Sequence, residues 1–280
     1  GGTTVAGGTL ALSTALANNI ANSKAIAVGT GATLDVTGVT AAGGFALSGT
    51  GTQSSSQSLG GAGTVKGNVT VATGASISAG TGTFAGTGAN TTGALTLNTG
   101  TTTFGTGGNY IWKVNNATGT QGSASGWDSL GISSLALNPT TASPFTVQLQ
   151  TVDGNGNLDG VAANFSNNTN YQWIIATIPA ASVTTTTAGL TLPTAGNSTT
   201  LATSGSSGAF VLDTSNFNLN QPPTASSGEF FQLSLVNVSG TDELVVGYNA
   251  TPEPASAILL LAGATPMLLT RRRRQRPMGI

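Results

Sequence analysis

Three short stretches constrain this chain more than anything else in it: GATLDVTG (31–38), GASISAG (74–80) and GALTLNTG (93–100). Each sets apolar residues two apart inside a glycine frame. Leu34 shares a parity with Val36, and Leu95 shares one with Leu97. Val65, Val69 and Val71 fall on one parity, which Ala75, Ile77 and Ala79 then continue. Period two is the signature of a strand with one buried face, because successive side chains leave a pleated backbone on opposite sides. Gly-Thr turn signals at Gly29, Gly49, Gly63, Gly80 and Gly105 punctuate this pattern. Their spacing suggests a loose repeat of about 20 residues, which suits one coil of a β-solenoid whose rungs bury their apolar faces on one another. A low-complexity Gly/Thr linker would not keep the alternation. Residues 1–105 are therefore predicted to form the repeats of a right-handed β-solenoid.

From residue 106 the texture changes. Aromatic residues gather (Tyr110, Trp112, Trp127, Phe145, Phe165, Tyr171, Trp173), and the apolar runs lengthen: NYIWKVNNA, PFTVQLQTV, YQWIIATI, EFFQLSLVNV and DELVVGY. Joined by Asn/Gly/Ser turns, these predict an antiparallel β module over 106–250 that closes the solenoid, as terminal repeats must. The Thr/Gly/Ser-rich stretch 184–208 reads as a loose hairpin excursion or linker. The fold class is all-β.

Charge narrows the chemistry. Only 6% of residues are charged, against about a quarter in ordinary soluble domains. The outer faces must therefore be solvated mainly by hydroxyl and amide groups. Before residue 251 the chain carries Lys24, Lys66 and Lys113 against eight carboxylates, a net charge of −5, and no arginine. So few cations cannot neutralise a phosphate backbone, which excludes nucleic acid as a partner. Cysteine and histidine are absent, which removes disulfides, thiolate or imidazole metal sites, and Cys or His nucleophile systems. No cofactor is implied. Any export signal is expected upstream of Gly1 or already removed.

Two local patterns have chemical potential. In DGNGNLDG, Asp153, Asn155, Asn157 and Asp159 occupy positions 1, 3, 5 and 7 of a calcium-loop pattern. Leu158 stands where the turn glycine belongs, and Asn164 replaces the bidentate glutamate, so an Asn-Gly hairpin turn explains the same letters. Asp242 and Glu243 are neighbours on one predicted strand and point to opposite faces, which does not make a catalytic pair. No Ser-x-x-Lys and no phosphate-binding glycine loop occurs. The body is read as non-catalytic. Two other readings stay open: a polysaccharide- or ice-binding solenoid with threonine rows on one face, and a carbohydrate-active β-helix enzyme whose carboxylates converge from distant rungs.

The last segment, 251–276, differs from all that precedes it. TPEPAS opens an apolar run, Ala257–Leu269, which Arg271, Arg272, Arg273 and Arg274 close. As a helix, Ala255–Thr270 spans about 24 Å against a hydrocarbon core of about 30 Å, a marginal transmembrane span. The arginine cluster is a membrane stop on the cytoplasmic side. Pro254 suits a first helical turn and Pro266 lies near the helix end. A short, weakly seated helix suits a temporary tether.

This order of Pro252-Glu253-Pro254, apolar helix and Arg271–Arg274 resembles the PEP-CTERM sorting signal. LGGAGTVKGNVTVATGASISAGTG (59–82) is similar to the autotransporter-associated β-strand repeats found upstream of that signal. The resemblance implies an exported protein, tethered transiently through its C-terminus and processed near Pro-Glu-Pro by an exosortase in the inner membrane. It implies delivery to the cell surface or extracellular matrix, with a structural or adhesin-like role and polysaccharide or other surface proteins as partners.

Overall fold

The computed structural model describes residues 1–47, 56–81, 90–219 and 230–250. The described residues are all-β, without a helix. In chain order the strands are β1 (Gly2–Val5), β2 (Thr9–Thr14), β3 (Ala25–Val28), β4 (Thr33–Val39), β5 (Phe45–Leu47), β6 (Ser58–Gly61) and β7 (Thr64–Lys66). Then come β8 (Val69–Val71), β9 (Ser76–Ile77), β10 (Ala94–Asn98), β11 (Thr102–Phe104), β12 (Asn109–Val114), β13 (Ser129–Ile132) and β14 (Leu135–Leu137). The last are β15 (Phe145–Thr151), β16 (Tyr171–Pro179), β17 (Val183–Thr185), β18 (Ser198–Thr203), β19 (Phe210–Asn216), β20 (Phe230–Val238) and β21 (Thr241–Asn249).

These strands form three sheets. Sheet A runs β1-β3-β6-β9-β12-β15-β19, and sheet C runs β17-β14-β11-β8-β5. Sheet B runs β18-β20-β21-β16-β13-β10-β7-β4-β2. From β3 to β17 the chain visits the sheets in turn, so that most strands pair in parallel with the strand three earlier. Circuits differ in length: the hydroxyls of Ser58 on β6 and Ser76 on β9, 18 residues apart, are hydrogen-bonded at 2.7 Å, while later contacts join residues farther apart. Thr101 N–H donates to Asn68 Oδ1 and Ser133 Oγ–H donates to the Gly100 carbonyl, each contact linking residues 33 apart.

The inward faces stack in columns. In sheet A the column is Ile26, Leu59, Ile77, Tyr110, Val147 and Leu212, and every member is buried. In sheet B Leu34, Val65, Leu97 and Ile132 do the same. Burying each such side chain stabilises the fold by roughly 1.5–3 kcal/mol, which is why like residues recur at stacked positions. Val65 belongs to sheet B while Val69 and Val71 belong to sheet C, so the parity read from the sequence continues around a corner. Gly67 makes that corner with φ +106°, a left-handed backbone that a side chain would strain.

Beyond residue 105 the inward positions enlarge. Phe104 stacks on Phe145 with centroids 4.3 Å apart, and Trp112 meets Trp173 at 5.5 Å. Phe165, Tyr171, Phe217, Phe231 and Tyr248 extend the cluster to the last strands.

Three expectations need correction. The turn glycines do not mark a uniform coil of about 20 residues: Gly29, Gly63 and Gly80 follow successive strands of sheet A, but paired residues on those strands lie 33 apart from β3 to β6, 18 apart from β6 to β9 and 33 apart from β9 to β12. Gly105 follows a strand of sheet C, and Gly49 lies outside the described residues. The antiparallel module does not begin at 106: β12, β13, β14, β15, β17 and β19 all pair in parallel with earlier strands. Among the described strands, antiparallel pairing is that of β16 with β21, β21 with β20, and β20 with β18. Finally, 184–208 is not a loose hairpin excursion or a linker: it holds the end of β17, which pairs with β14, and all of β18, which pairs with β20. The glycine- and threonine-rich letters hid a strand that has a partner.

Candidate functional site

The sorting-like segment, with Pro252, Glu253, Pro254, Arg271, Arg272, Arg273 and Arg274, lies outside the described residues. Among the described residues no helix is long and apolar enough to cross a membrane. No cluster of His, Cys, Asp or Glu there could hold a metal ion.

The calcium-like letters form a hydrogen-bonded turn. Asp153 Oδ1 accepts the backbone N–H groups of Asn155 and Asn157, each at 2.8 Å, and its Oδ2 accepts Asn157 Nδ2–H at 2.8 Å. These donors hold the Asp153 carboxyl below its ordinary value, the Asn157 side chain contributing most. Amide protons thus occupy the carboxylate where a cation would sit, and Asp159 lies beyond the turn with φ +59°. Asp242 is buried and accepts Asn237 Nδ2–H at 2.6 Å, whereas Glu243 points to the other face. The structure does not bring these two carboxylates together.

A different group stands out. Lys113 and Asp128 are fully buried, with Nζ 2.8 Å from Oδ2. Lys113 lies on β12, on the face opposite the Tyr110 and Trp112 rings, yet it is covered. Ser78 and Ala79, just after β9, meet it from one side, and Asp128, just before β13, meets it from the other. Nζ donates to Ser78 Oγ at 2.7 Å and to the Ala79 carbonyl at 2.6 Å. With Asp128 these acceptors use all three ammonium protons. Asp128 Oδ1 accepts Gly93 N–H at 2.9 Å, and Oδ2 accepts Lys113 N–H at 3.2 Å. Burial pushes the Asp128 carboxyl up to about 6, against the opposing pull of Lys113. Trp112 Nε1–H donates to the Asp128 carbonyl at 2.9 Å, which fixes the corner carrying the acid.

Sequence reasoning missed this pair because a lysine in an alternating strand reads as solvent-facing. One signal was available: Lys113 is flanked by Trp112 and Val114 in a body with three lysines.

The outer face of sheet B carries the second arrangement. Thr9, Thr33, Thr64 and Thr96 stand in one register, followed by Gly131 and then Thr177. The tracts Thr101–Thr103 and Thr184–Thr187, which first draw the eye, contribute nothing to this row. The adjacent row is Ala11, Asp35, Lys66 and Asn98, so the face mixes hydroxyl, amide and charge. Asp35 accepts the hydroxyl and backbone N–H of Thr37, which hold its carboxyl below the ordinary value.

Comparison of the chain with protein-family models, with curated proteins and with solved structures yields no match.

Proposed function

We propose that this is an exported, non-catalytic structural or adhesin-like protein of the cell surface or extracellular matrix. In this reading the three sheets are the walls of a β-solenoid, and 251–276 is a PEP-CTERM sorting signal processed by an exosortase. The tail carries the proposal: a Pro-Glu-Pro triplet, a marginal apolar span and four arginines follow a body without arginine. Arginines cost roughly 2.5–3.5 kcal/mol each at mid-membrane, so the cluster holds its end in the cytoplasm while the acidic body crosses. The prolines keep the backbone extended at the outer boundary, open to a processing enzyme. Parallel stacking of hydroxyl-rich rungs, stiff and low in charge, suits a scaffold. Mass spectrometry of the surface-associated protein tests the reading. A C-terminus near Thr251–Pro254 is expected, and peptides covering Arg271–Arg276 on the mature surface form would refute it.

A second reading has its own support. The threonine row on sheet B repeats at the spacing of parallel strands, about 4.8 Å, and its neighbouring row offers amide and charged groups to a hydrated polysaccharide. The same charges speak against ice, which needs a flat and uncharged hydroxyl lattice. Pull-down on insoluble polysaccharides, compared with a Thr33→Ala/Thr64→Ala/Thr96→Ala variant, separates binding through this face from none.

A further inference from the structure

The geometry points to a covalent cross-link: after folding, Lys113 Nζ and the Asp128 carboxyl condense into an isopeptide amide that fastens β12 to the start of β13. Three observations carry this. Nζ lies 2.8 Å from Oδ2 with both side chains shielded from solvent. Nucleophile and carboxyl are thus held together where no bulk water competes. Oδ1 accepts the Gly93 N–H at 2.9 Å, a donor already aimed at the oxygen that gains negative charge when the carboxyl carbon becomes tetrahedral. Ser78 Oγ touches both partners, 2.7 Å from Nζ and 3.4 Å from Oδ2, and so bridges them for proton transfer.

The step balances within these groups. One proton passes from Nζ to Oδ2 along their contact, turning the ion pair into amine and acid, a change that a low-dielectric site favours. Nζ then bonds to Cγ. Its second proton passes through Ser78 to Oδ2, the Cγ–Oδ2 bond breaks, and Oδ2 leaves as water with both transferred protons. The third proton stays on the new amide nitrogen and donates to the Ala79 carbonyl, which lies 2.6 Å from Nζ. Oδ1 becomes the amide oxygen and keeps its Gly93 donor. A chain without cysteine has no disulfide with which to fasten such a corner, and an amide resists reduction.

Intact-mass spectrometry of the purified full chain tests this: the expected mass is one water below that of the sequence. Asp153-Gly154 and Asp159-Gly160 can also lose water by ring closure with the next backbone nitrogen, so the loss must be located. Fragmentation should give a branched peptide joining the Lys113 strand to the Asp128 segment. In denaturant an amine reagent should label Lys24 and Lys66 but not Lys113. Lys113→Met and Asp128→Ala should each restore the full mass, and Ser78→Ala should leave a measurable unlinked fraction. Wild-type protein decides the matter even where a variant fails to fold. Full mass with Lys113 labelled in denaturant overturns the cross-link, as does a water loss that maps to Asp153 or Asp159.

Discussion

At the scale of single residues, the Lys113–Asp128 pair dominates. Removing one partner leaves the other charged and buried, and such losses cost about 3–5 kcal/mol. Urea unfolding of Lys113→Met should show a loss of unfolding free energy of that order, whereas replacing both residues with apolar ones of similar volume should cost less. The unlinked pair also predicts a pH dependence. Asp128 titrates at about 6 in the folded chain against an ordinary 3.8, so between those values the native state binds the extra proton. Stability therefore falls as pH rises from about 4 to about 6, and Asp128→Asn should flatten that slope. Once the amide has formed there is no carboxyl to titrate, and the slope disappears in the wild type too. Unfolding midpoints across this pH range thus report on the bond independently of mass.

At the scale of elements, the design rests on stacked positions that tolerate little or much according to the face they occupy. Gly61 has φ +125°, and a Cβ there would collide with the Val28 carbonyl of the neighbouring strand. Gly61→Ala should destabilise by about 3 kcal/mol through combined strain and overpacking. Gly131 interrupts the threonine row, and a Cβ there would meet nothing nearer than Thr96 Oγ1 at 4.0 Å. Gly131→Thr should therefore be neutral or stabilising by up to about 1 kcal/mol, since threonine favours a pleated outer face; in thermal melts Gly61→Ala should fall well below the wild type and Gly131→Thr should not. The inward parity of Leu34, Val65, Ile77 and Leu97 was legible in the sequence because burial on one face leaves an alternating pattern whatever the partner. Circuit length was not. Gly29, Gly63 and Gly80 all follow strands of sheet A, yet the strands they follow pair at 33 and then 18 residues, because loops of different length fit between the same corners. Nor was the β18–β20 pairing legible, because Ser, Thr and Gly describe an exposed edge strand and a linker equally well.

At the scale of the molecule, the aromatic texture after residue 105 suggested a second, antiparallel module, but β12 to β15 extend the parallel sheets begun by earlier strands and antiparallel pairing enters only with β16, β18, β20 and β21. Alternation alone does not distinguish parallel from antiparallel neighbours when one face is buried, so the direction of β12 to β15 could not be read. The structure makes a test of the boundary possible. Cutting after 105 would strip β9, β10 and β11 of their partners β12, β13 and β14 and separate Phe104 from Phe145. The fragment 1–105 should therefore be aggregated or unfolded by circular dichroism, while 1–250 gives a folded β spectrum. The order of pairing also has a consequence in time. After β5, each described strand finds its neighbour among strands that precede it, and β18 alone waits for a later one, β20. Past β5, a chain delivered first end first, from a ribosome or through a narrow pore, therefore need not hold an apolar strand in reserve for a partner still to arrive. Each newcomer is templated by the edge laid down before it, and the reversal of direction at β20 and β21 ends the queue.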